Sequence, residues 1–170
     1  MTVSRGARFA VLGAAALAVV TCREPSPVGP PTTSLLGGVF QAPGLLTCSP
    51  LPSDSVTQTI GSEGGVLQVG PHRLSVPAGA LAAPVSITAV APSETVNRVR
   101  FQPEGLRFQQ PASLTLSYGN CNLLELPRPP RIAYTTDALA ILEYLPSLDN
   151  AGAQRVTGEV GHFSSYAVAW

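Results

Sequence analysis

The sequence predicts an all-β protein: an antiparallel β-sandwich of about nine or ten short strands, preceded by a signal peptide and a Pro-rich linker. Between Gly61 and Tyr118, short runs of alternating apolar and polar residues follow one another, and Gly, Pro and Asn separate them at close intervals. This alternation is typical of half-buried strands joined by tight turns. Each such strand has one apolar face to bury, and this many strands suit two packed sheets better than one flat sheet.

The individual strands follow from the alternation. In the clearest of them, Leu114, Leu116 and Tyr118 lie on one face, whereas Ser113 and Thr115 lie on the other. In chain order the alternating runs from which we predict these nine or ten strands lie at residues 56–60, 66–69, 72–76, 85–91, 99–101, 105–108, 112–118, 131–135, 140–145, 155–160 and 165–170.

Turn residues separate these strands. Gly61 and the pair Gly64–Gly65 close the first strand, and Gly70–Pro71 form the turn between the second and the third. The cluster Asp149–Gly152 is predicted as the turn before the strand at 155–160. His72, which follows the turn at Pro71, is predicted to be exposed.

Residues 1–22 are predicted to be a signal peptide. Arg5 and Arg8 supply a positive segment, and the apolar run FAVLGAAALAVV that follows is too short to span a bilayer comfortably. Cys22 comes at the end of this run, as in the lipobox of bacterial lipoproteins, which this stretch resembles, and we predict that Cys22 is lipidated. Thr21 departs from the Gly, Ala or Ser that is usual before such a Cys. Ordinary cleavage that leaves Cys22 unmodified is therefore the open alternative.

The remainder divides into a linker at 23–47 and a domain at 48–170. Four prolines occur in the first dozen residues after Cys22, and no apolar period is present there. Such a segment favours extended polyproline II, so it predicts a spacer that holds the domain off a membrane.

The cysteines predict one disulfide. The chain has three Cys, and lipidation of Cys22 would leave Cys48 and Cys121 in an exported, oxidising compartment. We therefore expect Cys48 and Cys121 to be bonded to each other.

Composition argues against several classes of partner. Charged residues make up 12% of the chain, and the ten basic residues, all Arg, are scattered. Loss of Arg5 and Arg8 with the leader leaves eight Arg against ten acids, a net charge of −2, so neither nucleic acid nor anionic lipid would be attracted strongly. The two histidines, His72 and His162, lie far apart in the sequence, and we predict no metal site and no cofactor.

Three blocks of the sequence resemble the ZU-five domain, a family found in ankyrins, netrin receptors and tight-junction scaffolds. The blocks are GGVLQVGPHRLSVPAGAL followed by VSIT, then FQPEGLRFQQPASLTLSY, then GHFSSYAV. The resemblance covers the chain from about Gly61 to Val168. The resemblance implies a β-rich protein-interaction module, here in a bacterial lipoprotein version. The animal partners would be absent from a bacterial envelope, so binding is implied only as a class of function.

The resemblance also singles out His162, Phe163 and Ser164, because some eukaryotic relatives cleave themselves at a His-Phe-Ser sequence. By that analogy His162 would be the base for the Ser164 hydroxyl, which would attack the Phe163 carbonyl and break the Phe163–Ser164 bond. The other interpretation is structural. In it, Phe163 anchors the core at the start of a strand and His162 is a satisfied neighbour.

We therefore expect a non-catalytic envelope lipoprotein whose β-sandwich binds another envelope protein, with the membrane as a second partner through the lipid. The alternatives are a self-cleaving domain and a carbohydrate or cell-wall binding module. For a carbohydrate site the supply of aromatic platforms is thin, with one Trp and four Tyr in the chain.

Overall fold

The computed structural model describes residues 44–124 and 126–170. The predicted signal peptide, the lipidation site Cys22 and the linker as far as residue 43 lie outside the described residues. Within the described ranges the chain forms eleven strands and no helix. The strands are β1 (Asp54–Ile60), β2 (Gly65–Val69), β3 (His72–Val76), β4 (Val85–Ala91), β5 (Arg98–Gln102), β6 (Arg107–Ser117), β7 (Arg131–Thr135), β8 (Ile141–Tyr144), β9 (Ser147–Asn150), β10 (Arg155–His162) and β11 (Ser165–Ala169).

The strands form two antiparallel sheets. One has six strands in the order β1-β4-β5-β11-β7-β8, and the other has five in the order β2-β3-β6-β10-β9. The apolar residues of the two inner faces form one buried cluster, as a sandwich requires. The predicted all-β sandwich is thus confirmed.

Two details of the strand prediction differ from the structure. Residues 105–108 and 112–118, which the pattern separates, contribute to the single long strand β6, and β9 is a strand that the sequence does not predict. β9 includes Asp149 and Asn150 from the predicted turn, which the chain instead makes at residues 151–154. Asn150 begins this turn, because its side-chain oxygen accepts the Ala153 N–H at 3.0 Å. Asp149 accepts a hydrogen bond from the Tyr118 hydroxyl at 2.5 Å, which ties the edge strand to the core.

A short segment at the start of the described chain continues the six-stranded sheet. Leu45 pairs with Ala169 at the C-terminal end of β11, and the Leu46 N–H bonds to the Val168 oxygen at 3.1 Å. Leu45 and Leu46, which the sequence assigns to the end of the linker, are both buried. Packing of the domain therefore begins at least as early as Leu45.

The predicted disulfide between Cys48 and Cys121 is present. It joins this first segment to the loop after β6. Two backbone hydrogen bonds flank it, from Ser49 to the Asn120 oxygen at 2.9 Å and from Asn122 to the Thr47 oxygen at 2.8 Å. The bond is consistent with a protein that is exported to an oxidising compartment. Across the ranges 44–124 and 126–170, no helix is both long and apolar enough to cross a membrane.

Candidate functional site

The outer face of the six-stranded sheet has a trough along its middle strand, β11. Tyr166 and Val168 point into the core between the sheets, so Ser165, Ala167 and Ala169 lie on the outer face. These three side chains are small. The outward residues of β5, Arg98 and Arg100, are larger, and on β7 only Ala133, opposite Ala167, is equally small. The sheet surface is therefore lowest along β11, and we call this depression the trough.

One half of the trough, above Ala167 and Ala169, is filled. Leu45 and Val96 are buried against the two alanines, and Leu139 packs on the same cluster. This small apolar cluster seals the outer face at the C-terminal end of β11.

Arg98 closes the filled half from the β5 side. Its side chain is 6% exposed, and Nη2 donates to Glu94 Oε1 at 2.7 Å in a salt bridge. Nη1 donates to the main-chain oxygen of Asp137 at 2.9 Å. Because this pair is partly buried, removal of one charge would leave the other unpaired and poorly solvated, which would destabilise the fold. Arg98 therefore has a structural role.

The other half of the trough is open and forms a cleft of about 410 Å³. It lies over a row of residues that face one another across the strands: Arg100 on β5, Ser165 on β11 and Thr135 on β7. Thr135 Oγ1 lies 3.3 Å from Ser165 Oγ, and the two hydroxyls form the floor. Arg100 forms one wall and Leu142 of β8 the other.

Three charged residues line this cleft, namely Arg100, Glu104 and Asp137. The only ion pair among residues 44–124 and 126–170 joins Arg98 to Glu94, so none of the three is neutralised by a described neighbour. Arg100 is half-buried, whereas Glu104 and Asp137 are exposed at the rim. The cleft thus combines a cation that has no ion pair within the described part of the chain with acceptor groups at its edge.

A second cleft, of about 340 Å³, adjoins the first and contains His162, Phe163 and Ser164. Ser164 lines both clefts. Phe163 itself is a core residue, with its ring stacked on Phe101 at 5.3 Å and edge-on to Phe108 at 5.0 Å. Burial of this ring fixes the position of the segment between β10 and β11.

His162 lies beside the Phe163 carbonyl. Its Nδ1 is 3.4 Å from the Phe163 oxygen, and the same oxygen accepts the Gly105 N–H at 3.0 Å. The imidazole packs edge-on against Tyr134, with ring centroids 5.1 Å apart. Within the described chain, no hydrogen bond joins His162 to the Ser164 hydroxyl. The imidazole therefore lies at the oxygen that would develop negative charge and not at the proposed nucleophile.

Burial also affects a tyrosine beneath this segment. The hydroxyl of Tyr166 donates to the His162 oxygen at 2.7 Å. Burial is the main cause that raises the pKa of Tyr166 above its usual value, and the nearby Tyr134 and Glu143 raise it further. Tyr166 therefore stays neutral and acts as a hydrogen-bond donor that supports the backbone at His162.

The prediction that His72 is exposed is wrong. The residue is 2% exposed at the start of β3, and its Nδ1 accepts the Ser117 N–H of β6 at 3.2 Å. Burial lowers its pKa to about 4, so the ring is neutral near pH 7. The position of His72 beside the Gly70–Pro71 turn suggested exposure. However, His72 is the first of the alternate residues of β3 that face the core, with Leu74 and Val76, and its ring is buried there.

Comparisons with known proteins give no family. No protein-family model matches the chain, and no curated protein matches it either. The resemblance to the ZU-five domain therefore stays a prediction. Among the residues that the structure describes, no three His, Cys, Asp or Glu residues come close enough together to hold a metal ion.

Sequence reasoning missed the trough. It singled out His162, Phe163 and Ser164, and the structure places these three at one end of the trough. It did not single out Arg100, whose position beside Ser165 depends on pairing between β5 and β11. The small outward residues of SYAVA are the only local signal, because alternate small side chains on a central strand leave space above it.

Proposed function

We propose that this protein is an exported, lipid-anchored envelope protein whose β-sandwich binds a polypeptide segment of another envelope protein in the open half of the trough. The single observation that carries the binding role is the open cleft itself. Elsewhere on this sheet face the space above β11 is filled by side chains of the described residues. Above Ser165 the space is bordered by Arg100, which forms no ion pair within residues 44–124 and 126–170, and by Leu142, which is 54% exposed.

The cleft favours a peptide over a sugar. Its volume suits a ligand of a few residues, and Leu142 offers an apolar surface for a side chain. The aromatic residues that line it, Phe101 and Tyr134, pack on the core through ring contacts with Tyr166. The exposed ring of Tyr144 has the Arg131 guanidinium over it at 4.5 Å. Neither arrangement leaves a bare aromatic platform in the cleft for a sugar to stack on.

Export and anchoring belong to the same proposal. The Cys48–Cys121 bond supports export, and Cys22 follows an apolar run as the lipobox resemblance requires. A Pro-rich spacer between the lipid and residue 48 would let the domain reach a partner away from the membrane surface.

Site-specific photo-cross-linking tests the binding role. A benzophenone amino acid placed at Leu142, at the cleft wall, should give a discrete adduct in intact cells of the producing bacterium. The matched control is Leu148, which is 80% exposed and lies on β9 in the other sheet. Support requires that the adduct forms from position 142 and not from 148, and that mass spectrometry maps it to one repeatable segment of an envelope protein. Equal adducts from both positions, or none from 142, would overturn the proposal.

A second candidate function is self-cleavage between Phe163 and Ser164. The observation in its favour is that the Phe163 oxygen has the Gly105 N–H at 3.0 Å and His162 Nδ1 at 3.4 Å, two groups able to stabilise an oxyanion. The Ser164 hydroxyl would add to the Phe163 carbonyl carbon, the C–N bond would break to leave an ester and a free amine, and water would then hydrolyse the ester. The burial of Phe163 and the hydrogen bond from Phe101 to the Ser164 oxygen oppose the movement that this attack needs.

Intact-mass measurement under denaturing conditions decides between the two. The favoured proposal expects one species that retains Ser164–Trp170. Self-cleavage expects that segment as a separate peptide, and Ser164→Ala as the variant that restores the intact mass.

A further inference from the structure

We propose that the open half of the trough binds the free C-terminal carboxylate of a short peptide, with Arg100 as the anchoring residue. This inference rests on the proposed function and names the ligand chemistry of the same cleft. No motif or comparison points to Arg100, and its role follows only from the fold.

The position of Arg100 in the cleft suits a residue that binds an anion. It lies on the outer face of β5, opposite Ser165, and is half-buried in the cleft wall without an ion-pair partner among the described residues. Arg98, two residues earlier on the same face, by contrast uses Nη2 for its ion pair with Glu94 and Nη1 for the Asp137 main-chain oxygen. A guanidinium with its donors free matches a carboxylate in a bidentate geometry.

The length of the cleft suits two or three peptide residues. Neighbouring strands are about 4.8 Å apart, and the row from Arg100 crosses β11 and β7 before it reaches β8. The backbone span from Arg100 to Leu142 is therefore roughly 14 Å. Part of this span is occupied by the Arg100 and Leu142 side chains themselves, and an extended peptide covers the remainder at about 3.4 Å per residue.

The two ends of the cleft differ in chemistry and set the direction of the peptide. Its carboxylate would lie at Arg100 and an apolar side chain at Leu142, whose exposed surface would then be buried. The hydroxyls of Ser165 and Thr135 on the floor supply polar contacts between these ends. The small side chain of Ser165 lets a peptide backbone approach the sheet.

The rim favours a carboxylate over a phosphate. Glu104 and Asp137 add two negative charges beside the single positive charge of Arg100. A dianion would be repelled more strongly by this rim than a monoanion. The same two carboxylates can accept hydrogen bonds from the amide N–H groups of a bound peptide.

The test is an NMR titration of the ¹⁵N-labelled full chain in detergent with acetyl-Ala-Leu, which has a free carboxylate, and with its C-terminal amide. The acid should shift the amide signals of Ser165 and Thr135, and the amidated peptide should bind at least tenfold more weakly. Arg100→Gln should weaken the acid at least tenfold. Arg73→Gln, which removes an exposed Arg from the outer face of the other sheet, should leave its affinity unchanged.

Four outcomes would overturn the inference: equal affinity for acid and amide, no shift at Ser165 with either peptide, equal loss in the Arg73 variant, or tighter binding of inorganic phosphate or N-acetylglucosamine at the same signals. The photo-cross-linking experiment separates this failure from failure of the proposed function. If position 142 gives an adduct but the acid binds no better than the amide, the proposed partner binding still stands, and only the proposed recognition of a carboxylate is refuted. If position 142 gives no adduct and the acid binds no better than the amide, both proposals are refuted.

Discussion

His72 is a buried residue whose protonation state matters to the fold. Its ring lies at the start of β3 with Nδ1 as acceptor for the Ser117 N–H, and a proton on Nδ1 would abolish that bond. Burial lowers the pKa to about 4 from the ordinary 6.5. Between these two values the unfolded chain binds a proton that the folded chain does not.

This difference predicts a loss of stability in acid. The free energy of unfolding should fall as pH decreases from about 6.5 towards 4, and His72 should contribute no further loss below that value. The shift corresponds to about 3 kcal/mol over the whole window. Urea unfolding at pH 7.5, 5.5 and 4.5 measures it.

His72→Asn is the matching variant, because the Asn side-chain oxygen can still accept the Ser117 N–H but does not titrate. Its stability should be lower at pH 7.5, owing to lost packing, and should vary much less between pH 6.5 and 4. His162→Asn is the control and should keep the acid loss of the wild type. A His72→Asn protein with the full wild-type pH dependence would contradict the assignment.

At the scale of single elements, the turns depend on glycines with positive φ. Gly64 has φ +76°, and a Cβ there would lie 2.4 Å from the Val76 oxygen. Gly70, in the hairpin between β2 and β3, has φ +52° and open space around the same position. A Cβ at Gly70 would therefore add backbone strain alone, whereas a Cβ at Gly64 would add both backbone strain and a steric clash.

We expect Gly70→Ala to destabilise the protein by about 1 kcal/mol, the usual cost of a left-handed residue with a Cβ. Gly64→Ala should cost about 3 kcal/mol or more, since the clash with backbone atoms adds to the same conformational term. Urea unfolding midpoints of the two variants measure the difference. Similar midpoints would show that the chain at residues 76–78 moves to relieve the contact.

The Cys48–Cys121 bond acts between elements, because it joins the segment before β1 to the loop after β6. The two residues are 73 positions apart, and closure of a loop of that length restricts the unfolded chain by about 4 kcal/mol in the chain-entropy model. Cys48→Ser combined with Cys121→Ser should therefore lower the free energy of unfolding by up to about that amount. Wild-type protein unfolded in the presence of a reductant should resemble the double variant. A double variant as stable as oxidised wild type would refute this contribution.

The long strand β6 shows which features of a strand the sequence pattern predicts and which it does not. The sequence predicts a break between residues 108 and 112, and the register confirms an irregularity there, because β10 pairs Val160 with Ala112 but His162 with Arg107. Pro111 lacks an N–H and is tolerated at such a bulge. The Gln109 N–H is satisfied by the Ala80 oxygen at 2.9 Å, outside the sheet. The chain nevertheless continues in one direction, which only pairing with β3 and β10 could decide.

At the scale of the whole molecule, the proposal combines an anchored N-terminus with a binding domain. Removal of the lipid acceptor by Cys22→Ser should move the protein from the membrane to the soluble fraction, since several buried acyl chains are needed for stable anchoring. Membrane fractionation of the producing cells measures this. The double Ser variant of Cys48 and Cys121 is the control and should remain with the membrane. Retention of the Cys22→Ser protein in the membrane would contradict lipidation.

The sequence by itself determined the fold class, most of the strands with their faces and the disulfide partners. These properties depend on alternation with a period of two and on the number of cysteines, which are local or compositional signals. Only the tertiary structure formed the cleft that we propose as the binding site. The small residues of β11 become the floor of a trough when β5 and β7 pair on its two sides, and Arg100 comes opposite Ser165 through a register between strands that are about 65 residues apart in sequence. The burial of His72 was decided in the same way, because contact with β6 outweighed the local preference of a turn for water.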